Sequence, residues 1–356
     1  MNVLITNSRL DGPGGSQIFV RDLGLALCKL GHSVMAFCCD PGKRERMDEA
    51  GMIPTTADLR ALPFRPDIIH AQHHLDAMAA IIALPGVPAV YHCHGAVWRE
   101  KAPRHPRIHH YLAMSRTLAE RMVVESNIPP EDITTWLNTV DCSRFATVRH
   151  PSPVPLKALF YNKIHRMGSH TLDVIREATS RLGIHLDFIS HKFGNAIKRP
   201  EDVLPGYDIV FASGKSAIDA MACGCAVVVL GRTSCGELVV PANYERLRQV
   251  NFAIAVNSPP ATVEKVTAEL LRYAPDACSR VTTRLRQDAD MDTCVATLEG
   301  IYTRAIARHL AAGEDMQAES RAVLAYLRGI VPIVRGAELA PVIEPPSSIH
   351  PMLNPL

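Results

Sequence analysis

Residues 207–230, YDIVFASGKSAIDAMACGCAVVVL, compress a strand, a turn, a helix and a second strand into 24 residues. Residues 208–212 are a short β-branched and aromatic run, and residues 226–230 are nearly pure valine, as expected of parallel strands covered on both faces. Between them Ser213, Gly214 and Lys215 form a turn, Ser216 is placed to cap the first free amides, residues 217–222 are good helix formers, and Gly224 supplies a stop. A glycine turn entering a helix at the carboxyl end of a parallel strand presents free N–H groups and the positive end of the helix dipole. The turn is therefore a predicted cradle for a nucleotide diphosphate, with Lys215 adding a full charge. The competing reading is a structural crossover without a ligand, since every doubly wound sheet contains several such turns. A Walker A site is excluded, because the glycine required five residues before Gly214 is replaced by Ile209, inside a strand.

A length of 356 residues suits two domains of roughly 150 residues each. Apolar residues are 47%, charged residues 21% and the formal charge is +2, so the chain has no global attraction to nucleic acid. Residues 3–6 already read as a strand with no charged leader, and no segment reaches the ~20 apolar residues of a membrane span. The expected location is cytoplasmic. Ten cysteines lack any C-x-x-C or paired spacing, which excludes a zinc site or a disulfide framework and leaves them as buried thiols.

The opening is a βαβ unit: strand 3–6, a loop holding Gly12, Gly14 and Gly15, a helix from about residue 16 to 30 with Phe19, Leu23, Ala26, Leu27 and Leu30 on one face, then strand 33–37. A dinucleotide fingerprint fails at its third glycine, where Gln17 stands, although Asp40 follows the second strand about where a ribose-binding acid belongs, so an NAD-dependent oxidoreductase stays a rival. Residues 67–71 and 89–93 are further strands around a helix at 74–84, and residues 111–114 and 133–137 complete this half. His92 and His94 lie at the carboxyl end of their strand, where a histidine can take a proton from a hydroxyl, or be simply structural. Residues 98–107, WREKAPRHPR, read as a solvated surface loop or a hold on an anionic acceptor or lipid headgroup. Three prolines in residues 149–155 read as a stiff hinge, after which strands and helices alternate again. The expected division is an N-terminal domain at 1–148, a hinge at 149–156, a C-terminal domain at 157–290, helices at 291–335 crossing back, and a tail at 336–356. Asp288, Asp290 and Asp292 mimic a metal-binding D-x-D pattern but precede a helix, where capping is their expected role.

Taken together, several short motifs resemble the GT-B glycosyltransferases, specifically the family-4 group that uses nucleotide-activated sugars. They are Gly14-Gly15 ahead of a helix ending Leu30-Gly31-His32-Ser33-Val34; Pro66 to Ala71 (PDIIHA); Tyr91 to Gly95 (YHCHG); Ala113-Met114-Ser115; Asn138, Val140 and Asp141 with Phe145; and Ala217 to Gly224 (AIDAMACG). The resemblance runs from about residue 3 to 310 and implies an α/β fold of GT-B architecture, two Rossmann-like doubly wound domains facing across a cleft. It also implies that the C-terminal domain holds the donor and the N-terminal domain the acceptor. By position, Gly14 and Gly15 would sit against the donor phosphate or the acceptor, and His94 would be the cleft histidine. Asp219 would meet the nucleotide ribose, and Lys163 with Arg166 would neutralise the diphosphate. Two positions depart from the pattern: Phe211 stands where the family has the first of two glutamates, and Asn162 where it has an arginine. Such a chain either keeps the cleft as a non-catalytic nucleotide-sugar-binding protein or positions the sugar with Ser213, Gly214 and Lys215 instead. The resemblance implies transfer from a UDP- or GDP-linked sugar to a small-molecule, glycan or lipid-linked acceptor, with no obligatory cofactor or metal; the basic stretch 98–107 separately suggests peripheral membrane contact.

Overall fold

The computed structural model describes residues 1–10, 14–40, 53–161, 169–189, 197, 199–254 and 258–339. The first lobe contains β1 (Asn2–Thr6), α1 (Gly15–Lys29), β2 (Ser33–Phe37), β3 (Thr55–Thr56), β4 (Ile68–Ala71), α2 (His74–Ala83), β5 (Ala89–Cys93), β6 (Ile108–Ala113), α3 (Arg116–Ser126) and β7 (Ile133–Thr135). Its seven strands run β3-β2-β1-β4-β5-β6-β7, every pair parallel. The second lobe contains β8 (Lys157–Tyr161), α4 (His170–Arg181), β9 (His185–Ile189), α5 (Pro200–Val203), β10 (Ile209–Ala212), α6 (Lys215–Ala222), β11 (Ala226–Leu230), β12 (Cys235–Leu238), α7 (Pro241–Arg248), α8 (Val263–Leu270) and α9 (Pro275–Ala289). Here the order is β12-β11-β10-β8-β9, with β12 an antiparallel edge. In both sheets order reverses beside the first strand, so the carboxyl ends that flank the switch point collect the loops.

Each sheet is covered on both faces, which is why its strands read as unbroken apolar runs. Leu4, Ile69, Ala89 and Tyr91 pack on one face of the first sheet, while Val3, Ile5, Ile68 and Val90 pack on the other with Phe19, Leu23 and Leu27 of α1. Leu30, expected on that face of α1, is 44% exposed, because the helix has already ended at Lys29. The chain then returns. Asp290 accepts from the Thr293 amide and caps α10 (Met291–Ala312), as its sequence position implied, and Met291, Val295, Leu298, Ile301 and Tyr302 pack into the core of the first sheet. A last helix, α11 (Met316–Leu339), sets Val323 and Tyr326 against the other face.

Residues 149–156 are docked on the second lobe: Arg149 pairs with Asp208, Tyr273 donates to the Ser152 carbonyl at 2.9 Å, and Gly224 has φ +86 with no room for a Cβ beside the Arg149 carbonyl. Three expectations are corrected. Residues 98–107 are only partly the solvated loop expected: Trp98, Arg99, Lys101 and Arg104 are exposed, whereas Glu100, His105 and Arg107 are buried and Arg107 donates to the Ile81, Leu84 and Val87 carbonyls and pairs with Glu319. Cys28 and Cys39 are exposed although the other cysteines are buried or partly so, and none of the ten is joined in a disulfide. Ser216 does not cap α6, because the helix begins two residues earlier than that role needs, with Gly214 as its N-cap.

Candidate active site

A cavity of about 500 Å³ opens where the two lobes meet, and its wall includes Ser8, Gly14, Gly15, Asp22, His73, His94, Glu100, Asn138 and Lys215. Two helix starts reach it. Helix α1 begins at Gly15 after an extended Gly14 (φ −66°, ψ 155°), with no side-chain cap and no acidic residue in its first turn. Helix α6 begins at Lys215, likewise without a side-chain cap or an acid in the first turn. Gly214 needs to be glycine for its φ of +58°, and a Cβ there, like one at Gly15, would meet nothing within 4 Å. Among the described residues no backbone carbonyl takes the Lys215 or Ser216 amide. Uncapped helix starts with free amides and positive dipole ends are where an anion is stabilised.

The turn before α6 is held by its own lobe, at a segment that is itself tied to the first lobe. The Gly214 amide donates to the Phe252 carbonyl at 3.4 Å, and Asn251 and Phe252 both have positive φ, 50° and 52°. Asn251 in turn accepts from the Asn138 amide at 2.9 Å and donates to the Met114 carbonyl, both from the first lobe. Lys215 forms an ion pair with buried Asp219 one turn on and stands 5.4 Å from the centre of the Phe145 ring. Asp219 thus lies beneath Lys215 and outside the cavity wall, as do Ser213, Gly214 and Ser216. Asn162, Lys163 and Arg166 fall outside the described residues. Asp22 bonds Arg21 and Arg144, yet its Oδ2 has no partner among the described residues, and burial raises its pKa despite Lys215 and Arg21 pulling it down.

On the first lobe, His94 follows β5 and is stacked on His92 with centroids 4.1 Å apart. Burial pushes its pKa down to about 4, so it is a neutral imidazole near pH 7, and its Nε2 has no partner among the described residues. His92 and His70 behind it are fully buried, bonded to each other at 3.4 Å, and His70 meets the Tyr302 hydroxyl at 2.8 Å. Beside His94, the His73 Nδ1 lies 2.5 Å from Ser8 Oγ, and its Nε2 lies 3.0 Å from Glu100 Oε1. Glu100 Oε2 accepts from the His94 amide at 3.1 Å. Burial alone would raise the Glu100 pKa, but the His73 hydrogen bond and the nearby imidazoles outweigh it and hold the carboxyl below its usual value.

Sequence reasoning found Gly14, Gly15, His94 and Lys215, and the structure brings these four together. It missed Ser8, Asp22, His73, Glu100 and Asn138. Of these, Asn138 stood among the residues that carry the family resemblance and Glu100 was a lone acid in a basic stretch, whereas Ser8, Asp22 and His73 carried no signal for this site. Asp40 is absent from the cavity wall. No group of three or more His, Cys, Asp or Glu side chains among the described residues is arranged to hold a metal ion, and no described helix is long and apolar enough to cross a membrane.

Residues 13–144 match the family model described as Glycosyltransferase Family 4. No curated protein matches the chain in sequence. Solved structures do match in fold. A glycosyltransferase from Rickettsia africae aligns over 86% of this chain and 98% of its own at 14% identity, with a TM-score of 0.61. HepE of Anabaena in complex with UDP and glucose aligns over 85% of this chain and all of its own at 13% identity, TM-score 0.57. The lipopolysaccharide outer core galactosyltransferase WaaB, in its apo form, aligns over 85% of this chain and all of its own at 12% identity, TM-score 0.53. The two lobes are thus the two Rossmann-like halves of a GT-B fold.

Proposed function

We propose that the chain is a family-4-like glycosyltransferase that moves a sugar from a nucleoside diphosphate sugar to a hydroxyl acceptor held against the first lobe. The observation that carries this is the convergence of two uncapped helix starts and Lys215 on one cavity, opposite the neutral His94. Charge grows on the diphosphate as the glycosidic bond breaks. Amides and an ammonium already aimed at that position stabilise the transition state more than the ground state. Asp219 holds Lys215 in place from below, and the Asp22 carboxyl on the cavity wall is paired with Arg21 and Arg144. His94, neutral near pH 7, lines the first-lobe side of the cavity and is too weak a base to strip a hydroxyl.

HepE, solved with UDP and glucose, supports a uridine diphosphate donor, and GDP-linked sugars are the alternative. The acceptor is a small molecule, a glycan or a lipid-linked sugar, in line with the lipopolysaccharide substrate of WaaB. A binding protein without turnover is the second reading, favoured by Phe211, which is fully buried in the second sheet where the family keeps a glutamate. Release of nucleoside diphosphate from a panel of UDP- and GDP-sugars decides between them. The transferase releases it from one donor well above the rest. The binding protein is stabilised by the same donor, about 2.7 kcal/mol at a hundred times the dissociation constant, and releases none.

A further inference from the structure

The hydrogen bonds around His73 fix its tautomer. The Ser8 backbone amide, which can only donate, lies 3.0 Å from His73 Nδ1, so Nδ1 carries no proton and accepts the Ser8 hydroxyl as well. The ring proton is therefore on Nε2, directed at Glu100 Oε1. Glu100 is buried, and among the described residues its ion-pair partner is His73. A proton passed to Nδ1 would leave an imidazolium whose Nε2 lies 3.0 Å from Glu100 Oε1. His73 is held for this at a backbone cost, with φ 53° and ψ 105° in a non-glycine residue at the start of α2, and strain of that kind gathers at functional positions. Ser8, His73 and Glu100 all reach the cavity wall, and Ser8 is the partly exposed end of the series.

We propose that Ser8, His73 and Glu100 form a proton relay that takes the proton of the acceptor hydroxyl, with Ser8 Oγ as the atom the acceptor meets. The inference rests on the transferase reading above. As the acceptor oxygen bonds to the anomeric carbon, its proton passes to Ser8 Oγ and the serine proton passes to His73 Nδ1, leaving an imidazolium against Glu100. The bond from the anomeric carbon to the diphosphate oxygen breaks with its electron pair on the diphosphate. Ser8 is the catalytic group, and His73 and Glu100 act through it.

The test uses the full chain with UDP-glucose and the other donors of the panel, water serving as acceptor. Ser8→Ala and Glu100→Gln are each expected to lower donor hydrolysis by about 10²-fold, the low end of general acid–base contributions, while the thermal shift produced by UDP is unchanged. In mixtures of light and heavy water the wild-type rate gives a bowed proton inventory, which becomes straight in Ser8→Ala. Wild-type turnover in Ser8→Ala overturns the relay. If the wild type hydrolyses no donor in the panel, the transferase reading is what falls, and ring-nitrogen NMR of the histidine-labelled chain then decides the relay. A bare Nδ1 on His73, with an Nε2 proton whose signal moves in Glu100→Gln, supports it, and a protonated Nδ1 overturns it.

Discussion

The first lobe meets the cavity with Ser8, His73, His94 and Glu100, side chains linked to one another, whereas the second meets it with Lys215 and the open start of α6. The first lobe thus sets a linked group of titratable side chains beside the open start of α1, and the second offers Lys215 beside the open start of α6. The difference follows from what each lobe exposes at its switch point. In the first, three loops after β1, β4 and β5 crowd together and fill the edge with side chains. In the second, a tight glycine turn after β10 leaves backbone amides uncovered. Titratable side chains buried in one wall make that wall sensitive to acid, while amides in the other are indifferent to it.

The largest effect expected is from placing a carboxylate at Phe211, because the second lobe offers its interior no charged partner there. Phe211 is fully buried between Phe160 and Val228 of neighbouring strands, so Phe211→Glu strands a charge and costs upward of ~4 kcal/mol, a fall in melting temperature on the order of 10 °C. A stable Phe211→Glu protein with gained turnover would show that position 211 reaches the cavity and would erase the contrast between the lobes.

Next comes Lys215→Gln, which removes the charge but keeps a donor to Asp219. Nucleoside diphosphate release is expected to drop by about 10²–10³-fold with the melting temperature little changed. An unchanged rate would mean that the second lobe does not receive the leaving group.

The acid response separates the lobes more finely. Burial pushes seven imidazoles of the first lobe below their usual value, to about 3 for His70, about 4 for His74, His94, His105 and His109, and downward for His92 and His110. In the unfolded chain each takes up a proton near pH 6.5 that the fold refuses, so stability is full above that pH and declines as pH falls from 6.5 toward 4, by up to ~1.4 kcal/mol per pH unit for each fully buried ring. Asp22 and Asp76, raised by burial, act in the opposite sense over part of that range, but they are two against seven. In the second lobe Asp208 is held down: burial would raise it, yet the Leu156 and Lys157 amides and Arg149 outweigh that, so its contribution is lost only as pH falls below 3.8. Urea unfolding followed by the fluorescence of Trp98 and Trp136, both in the first lobe, should weaken between pH 7 and 5 before far-UV signals from the second lobe change. Coincident loss in both would remove the distinction.

The smallest effect is Gly214→Ala. Its φ of 58° with ψ −134° is backbone almost confined to glycine, and the strain costs about 1–3 kcal/mol, a few degrees in melting temperature. Gly15→Ala, at an ordinary helical φ, leaves stability within ~0.5 kcal/mol and sharpens which helix start binds the anion.

Most of the second wall was legible from residues 207–230, because strand, turn and helix there are set by neighbours in sequence: valine-rich runs, a glycine able to adopt positive φ, and a stop at Gly224. Even so, the cap was misplaced, because Ser216 and Gly214 compete for the same turn and only the backbone path decides. Helix α9 and the antiparallel edge β12 gave weaker signals, since a short strand and an amphipathic helix rich in arginine resemble exposed connections until something packs on them. The first wall was legible only in part. His94 stands at a strand end and could be singled out, whereas Ser8, His73 and Glu100 lie 65 and 27 residues apart and none belongs to a pattern.

By itself the sequence determined the alternation of strands and helices, the two sheets and the glycine turn before α6, all of which follow from local hydrogen bonding and apolar period. Only the tertiary structure decided that β1, β4 and β5 lie side by side. Parallel neighbours are about 4.8 Å apart, so the loops leaving their carboxyl ends must meet, and that meeting turns a serine, a histidine and a glutamate into one hydrogen-bonded chain.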